Sequence, residues 1–312
     1  MRRKDQKQLE GSFSGNLIRE LIADITSTNN GHKLQNGEWR KNLIEPEWIC
    51  PLKYEMKYIE MENFKMEYLS PKEVRDDRVI LQLHGGGYIG AIKNIYRSFA
   101  VLYSKALRGG RVLTIDYRVA PEHQFPAALE DAYIAYLWLL KYYQPKQIFL
   151  AGDSAGGGLA LSLCHYLKEK KKLLPNGIIL MSPWADLTCS GSSYKTNYEK
   201  DPLFGRTEDS MLFHKDYIGE ADPKNPYIST IFGDFTGFPP ILLQVGNYEM
   251  LLSDSLTVAK KAKKSGVRVK CNVYEGMFHV FQMARSLLPE SRSAWKEIRD
   301  YLDYMKSDRR MC

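Results

Sequence analysis

"QIFLAGDSAGGGLALSLC", residues 147 to 164, runs from a short apolar stretch into a glycine-rich turn and on into a helical pattern. The turn holds Gly152, Asp153, Ser154, Ala155 and Gly156, a G-x-S-x-G sequence placed between a strand and a helix. A sharp strand-to-helix turn lifts a serine hydroxyl clear of the sheet, and glycines on either side avoid the clashes of so tight a bend. The pattern alone arises by chance about once in ten chains of this length, so its position between strand and helix carries the weight. The competing reading is a phosphate loop at a helix N-terminus. It lacks G-x-x-x-x-G-K-[ST], and Ser154 stands where the second glycine of G-x-G-x-x-G belongs.

The same alternation extends along the chain. Apolar strand candidates fall at 79–83, 111–115, 147–151, 177–181, 241–245 and 267–274, with helical patterns near 94–108, 127–143, 155–172, 254–265 and 290–306 between and after them. Near-continuous apolar strands separated by helices predict an α/β architecture with a parallel sheet covered on both faces. Two stretches break the rhythm, residues 1–45 and the Gly-, Ser- and Tyr-rich 186–236. They are assigned together to a cap, with 46–185 and 237–312 as the core, because a long insertion rich in aromatics in a compact fold is usually a functional cover. Leu17, Ile18, Leu21, Ile22 and Ile25 share a helical face, read as packing on the protein's own core rather than on a membrane.

The chain has 312 residues, 44% of them hydrophobic and 12% aromatic, enough for a sizeable core. The net charge of +7 gathers in helix-ending patches such as "LKEKKK" and "KKAKK". Cations suit helix C-termini, and no nucleic-acid motif accompanies them, so no nucleic-acid partner is predicted. Five scattered cysteines without C-x-x-C spacing exclude a zinc ribbon and fit a reducing cytoplasm. The basic opening has no apolar region behind it, and no eighteen-residue apolar window occurs, so neither secretion nor a membrane span is expected.

A nucleophilic serine needs donors for a developing oxyanion and a base. "HGGG" (His84, Gly85, Gly86, Gly87) supplies the donors by the logic of α/β-hydrolase folds: the N–H groups of Gly85 and Gly86 join that of Ala155. In that fold the order serine, acid, histidine removes His32, His84 and His123 as the base. His165 lies on the helix that begins at the serine, and His214 falls in the expected cap. His279, in a loop between the last strand and the last helix, is the base. On the loop after 241–245, Glu249 is the favoured acid, while Asp254 reads as a helix N-cap.

With these residues the chain closely resembles the hormone-sensitive-lipase-like esterases, the bacterial family IV group of the α/β-hydrolase superfamily. The resemblance extends to "DYRVAPEHQFPAALEDA" (116–132), "SPWADL" (182–187), "GNYEMLLSDS" (246–255) and "GMFHVF" (276–281). It implies a mostly parallel eight-stranded sheet with helices on both faces, a helical cap, and hydrolysis of carboxylic esters with short or medium acyl chains. It matches Ser154 to the nucleophile, His279 to the base, Glu249 to the acid, and Gly85, Gly86 and Ala155 to the oxyanion donors. Ser253 departs from the aspartate many relatives carry, which keeps Asp254 as a second acid candidate. The reading is a serine carboxylesterase working through an acyl-enzyme on a small-molecule ester, with no cofactor and no metal. Tyr88, Trp184 and Phe278 are the residues named for acyl-chain contact, and a homodimer is left open. An amidase or lactonase with the same triad, or a ligand-binding protein on a hydrolase fold, are the alternatives.

Overall fold

A computed structural model describes residues 11–38, 41 and 44–308. Its eight strands are β1 (Tyr54–Glu60), β2 (Lys65–Pro71), β3 (Val79–Leu83), β4 (Arg111–Asp116), β5 (Ile148–Asp153), β6 (Gly177–Met181), β7 (Ile241–Gly246) and β8 (Val269–Tyr274). They form one sheet in the order β1-β2-β4-β3-β5-β6-β7-β8. β1 pairs antiparallel with β2 and β2 antiparallel with β4, and all other pairs are parallel. The apolar runs of the sequence are the six strands β3 to β8. The two strands at the antiparallel end were not among those runs, because Lys, Glu and Tyr alternate with their apolar residues. β1 has a free edge and is half exposed along its length, a setting that does not select an apolar run.

Because side chains alternate across a strand, one apolar run serves two cores. Leu81, Leu150, Ile178, Leu180 and Leu243 enter one cluster, while Ile80, Phe149, Ala151, Ile179 and Leu242 enter the other. The first face is covered by α4 (Ala127–Leu139), α5 (Ser154–Glu169) and α7 (Leu252–Lys264), the second by α3 (Asn94–Ala106) and α8 (Pro289–Asp308). Each fully buried Leu, Ile or Phe contributes about 1.5–3 kcal/mol of burial free energy, so the central strands are strongly fixed in register.

The two stretches that break the βα rhythm differ in kind. The N-terminal one forms α1 (Phe13–Thr26) and α2 (Asn29–Gln35). Among described residues the insertion has only single helical turns, at α6 (Ser193–Thr196), Met211–Phe213 and Thr230–Phe232. The apolar face expected on α1 is split. Ile18 and Ile22 pack on Met277, Phe278 and Phe281, whereas Leu17, Leu21 and Ile25 line up with Phe13 on an outward stripe. Neighbouring positions lie about 100° apart around a helix, so the 17/21/25 row cannot face the same surface as the 18/22 row. No described helix is long and apolar enough to cross a membrane.

Candidate active site

The turn after β5 is tight because bare backbone meets bare backbone. Ser154 has φ +52°, a left-handed conformation uncommon for a residue with a side chain. A Cβ on Gly152 would lie 2.2 Å from the carbonyl oxygen of Gly156, and one on Gly156 would lie 2.1 Å from that of Leu83 at the end of β3. These two glycines let α5 start against the strand ends. Ala155 is in the first turn of α5, where an N–H has no intrahelical acceptor. Its open donor therefore sits beside the serine.

His279 follows β8, and its Nδ1 lies 2.9 Å from Oε2 of Glu249, on the loop after β7. The other carboxylate oxygen accepts from the Gly246 N–H at 2.6 Å and the Ser182 hydroxyl at 2.7 Å. Glu249 is fully buried and His279 nearly so. Ser182, with φ +48°, also accepts from the N–H of Val280 at 3.3 Å, so one hydroxyl grips both Glu249 and the residue after His279. Ser182 was passed over in the sequence because nothing in "SPWADL" says which way its hydroxyl points.

Ser154 and His279 line one cavity of about 50 Å³ with Gly86 and Gly87. Its apolar wall is Leu34, Leu203, Phe204, Met211, Val280 and Met283. The Phe204 ring stands edge-on to the His279 ring at 4.9 Å. Gly85 is not in this wall. It sits one residue deeper, where a Cβ would lie 2.3 Å from Oδ2 of Asp153, and Gly87 occupies the surface expected for it. Among described residues no acceptor takes the N–H of Gly86 or Gly87. His84 belongs to the support of this loop: its ring stacks on Tyr117 at 4.1 Å and its Nδ1 is 2.8 Å from the Gly85 carbonyl.

The three aromatics named for the acyl chain lie outside the cavity wall. Tyr88 is buried and stacked on Tyr217 at 3.8 Å, Trp184 is buried beside it with its backbone N–H donating to the Ser154 carbonyl, and Phe278 backs α1. Tyr88 follows the glycine run, Trp184 follows β6 and Phe278 precedes His279, but all three turn into the core, where large apolar rings are stabilised by burial. The wall residues Leu34, Leu203 and Phe204 come from stretches without a motif, and no sequence signal marked them.

Asp254 is not a helix cap. It is in the first turn of α7, and its Oδ2 accepts from the N–H groups of Ala185 and Asp186 at 2.9 and 2.8 Å, whereas the carboxylate on the imidazole is that of Glu249. Burial and the nearby Asp186 push its carboxyl well above the ordinary aspartate range. His165 packs on Phe235 and Phe238, and burial lowers its imidazole to about 4. His214 lies near Asp209 in the insertion, 3.4 Å from its carboxylate.

The insertion reaches into the loop that carries Glu249. Asn197 Nδ2 donates to the carbonyls of Asn247 and Glu249 at 3.0 and 2.7 Å, and Ser193 Oγ donates to the Met250 carbonyl. Asp201 is buried, with Oδ2 accepting from the Met250 N–H at 2.8 Å and Oδ1 from those of Leu203 and Phe204 at 2.9 and 3.0 Å. Desolvation raises its carboxyl above the usual range.

A mostly parallel eight-stranded sheet, a serine at a left-handed strand-to-helix turn, and a histidine and carboxylate on loops at the C-terminal ends of later strands define an α/β-hydrolase. The family model described as the alpha/beta hydrolase fold matches residues 80–283. An acetyl-hydrolase of Streptomyces hygroscopicus is 38% identical over 229 residues, covering 73% of this chain and 76% of its own. An esterase of Acinetobacter venetianus is 36% identical over 74% of this chain and 76% of its own. The crystal structure of an esterase from the bacterial hormone-sensitive lipase family superposes with a TM-score of 0.80 at 32% identity, over 94% of this chain and 98% of that one. The chain belongs to the hormone-sensitive-lipase-like carboxylic ester hydrolases of the alpha/beta hydrolase family.

Proposed function

We propose that the protein is a serine carboxylesterase that cleaves esters of short to medium acyl chains through an acyl-enzyme, with Ser154 as nucleophile, His279 as base and Glu249 as acid. The observation that carries the reading is the His279–Glu249 contact beside Ser154 in one cavity. A buried carboxylate on Nδ1 favours the tautomer with its proton there, which leaves Nε2 free to accept the Ser154 proton. Ser154 Oγ attacks the ester carbonyl, the carbonyl electron pair moves onto oxygen, and the N–H groups of Gly86, Gly87 and Ala155 receive it. Gly87 takes the role that sequence reading gave to Gly85. Collapse expels the alcohol, which takes the proton from His279. Water then enters by the same route and releases the acid.

The space of about 50 Å³ beside Ser154 suits a small acyl group, and the flexible Leu and Met side chains of its wall can move aside for longer ones. The segments 1–45 and 186–236 act as the cap in this reading, since Leu34, Leu203, Phe204 and Met211 supply the wall. The test is a panel of p-nitrophenyl esters from two to sixteen carbons. The highest kcat/KM is expected between two and about eight carbons. A maximum at sixteen, or activity only on amides or lactones, would overturn the assignment.

A further inference from the structure

A predominantly apolar recess away from Ser154 lies between α3, α8 and the 281–287 turn. It has a volume of about 440 Å³ and shares no residue with the Ser154 cavity. Its floor is apolar, formed by Leu102, Ala106 and Trp295. Its rim is cationic: Lys105, Arg285, Arg292, Lys296 and Arg299 all line it, and no carboxylate does. Lys296 is paired outward with Asp300. Among described residues no acid pairs with Lys105, Arg285, Arg292 or Arg299, although the chain forms such pairs freely elsewhere, as at Arg108–Asp303 and Arg97–Glu67. Arg285 is held at φ +51°, a conformation that costs a non-glycine residue energy and that orients this cation at the recess.

Ligand sites are recesses of about 300–1,000 Å³ with an apolar lining and a few polar groups that fix orientation. An apolar floor under a rim in which four of five cations have no acid partner among described residues fits a molecule with one anionic end and one apolar end. At roughly 30 Å³ for each water-sized group, the volume admits on the order of a dozen non-hydrogen atoms. We propose that this recess binds a single-chain carboxylate of about that size, chain on Trp295 and Leu102, carboxylate among the rim cations. The 281–287 turn separates it from the reactive cavity, with Met283 on one side and Arg285 on the other. The site is independent of the assignment of Ser154.

The probe is decanoate, titrated into the full-length protein by calorimetry, with decanol and acetate as controls. One saturable site is expected for decanoate, with decanol and acetate each at least about tenfold weaker, since each lacks half of the recognition. Raising salt from 0.05 to about 0.5 M should weaken decanoate several-fold, because the cations are exposed and screened. The double variant Lys105→Glu/Arg292→Glu should lose binding about tenfold or more while hydrolysing p-nitrophenyl acetate as before. Arg299→Glu, tested alone, should lose several-fold and guards against a folding defect in the double variant. Equal affinity for decanol, or unchanged decanoate binding in the folded charge-reversal variants, overturns the proposal. So does binding of anionic phospholipid vesicles without binding of free decanoate, which would make the face a lipid-surface contact.

Discussion

The turn that carries Ser154 and the loop that carries Glu249 sit side by side at the same end of the sheet, yet they are held in different ways. The Ser154 turn is fixed by backbone on backbone: Gly152 has no space for a side chain against Gly156 four residues on, and Gly156 has none against the Leu83 carbonyl of the neighbouring strand. The Glu249 loop is fixed by side chains that arrive from far away. Ser182, Ser193, Asn197 and Asp201 each hold part of it, about 50 to 67 residues upstream. A steric constraint of backbone against backbone tolerates almost no substitution and depends on no side chain. A loop held by hydrogen bonds from another segment can be weakened in steps.

The largest effect expected on either side of this contrast is at the nucleophile. Ser154→Ala should lower kcat by about 10⁴ to 10⁶ with the melting temperature unchanged, and retention of a tenth of the activity would remove Ser154 from the mechanism. On the other side, Glu249→Gln should cost about 10⁴ in kcat by favouring the wrong imidazole tautomer. Asp254→Asn should stay within about tenfold of wild type, because the amide oxygen can still accept from Ala185 and Asp186. The reverse ranking would show that the acid loop is organised around Asp254.

The helix behind the serine gives a stability measurement. His165 titrates near 6.5 when unfolded but only at about 4 in the folded chain, so between those values the unfolded state binds more protons. Stability should therefore fall by up to about 3 kcal/mol as pH drops from 6.5 to 4. His165→Phe should flatten that part of the melting profile, and an identical profile would discount the buried neutral imidazole.

The remaining two tests set the regions against each other. Gly156→Ala places a methyl against the Leu83 carbonyl and should destabilise the fold by about 1–3 kcal/mol or more, with activity lost through misfolding. Ser182→Ala should leave the melting temperature within a few degrees and lower kcat about tenfold, with the acid limb of the pH–rate profile displaced, because the hold on Glu249 and on the Val280 N–H is loosened while the strands keep their packing. Ser182→Thr should restore part of it. If Gly156→Ala is tolerated and Ser182→Ala unfolds the protein, the contrast is inverted.

This difference also explains what could be read from the sequence. The Ser154 turn, the "HGGG" loop and the six apolar strands are local patterns, and each was legible from residues a few positions apart. β1 was hidden because an edge strand half open to water needs no apolar run, and β2 because Lys, Glu, Tyr and Ser surround its buried Met66 and Leu69. Gly87 replaced Gly85 at the cavity because a run of three glycines does not reveal which of them the turn brings forward. Tyr88, Trp184 and Phe278 were named by residue type and position, which do not determine which way a ring turns. Asp254 was read as a cap from its place at a helix start, whereas its carboxylate serves a loop some seventy residues upstream.

Asp201 has one oxygen on the acid loop and the other on Leu203 and Phe204, which line the cavity. Selection for a new substrate at 203–204 therefore acts on a segment that also positions the group orienting His279. If Glu249 orients His279 as proposed, substrate range and turnover change together here, and the 186–236 segment cannot be exchanged between relatives as a module without carrying Asp201 and its loop partner Met250 along.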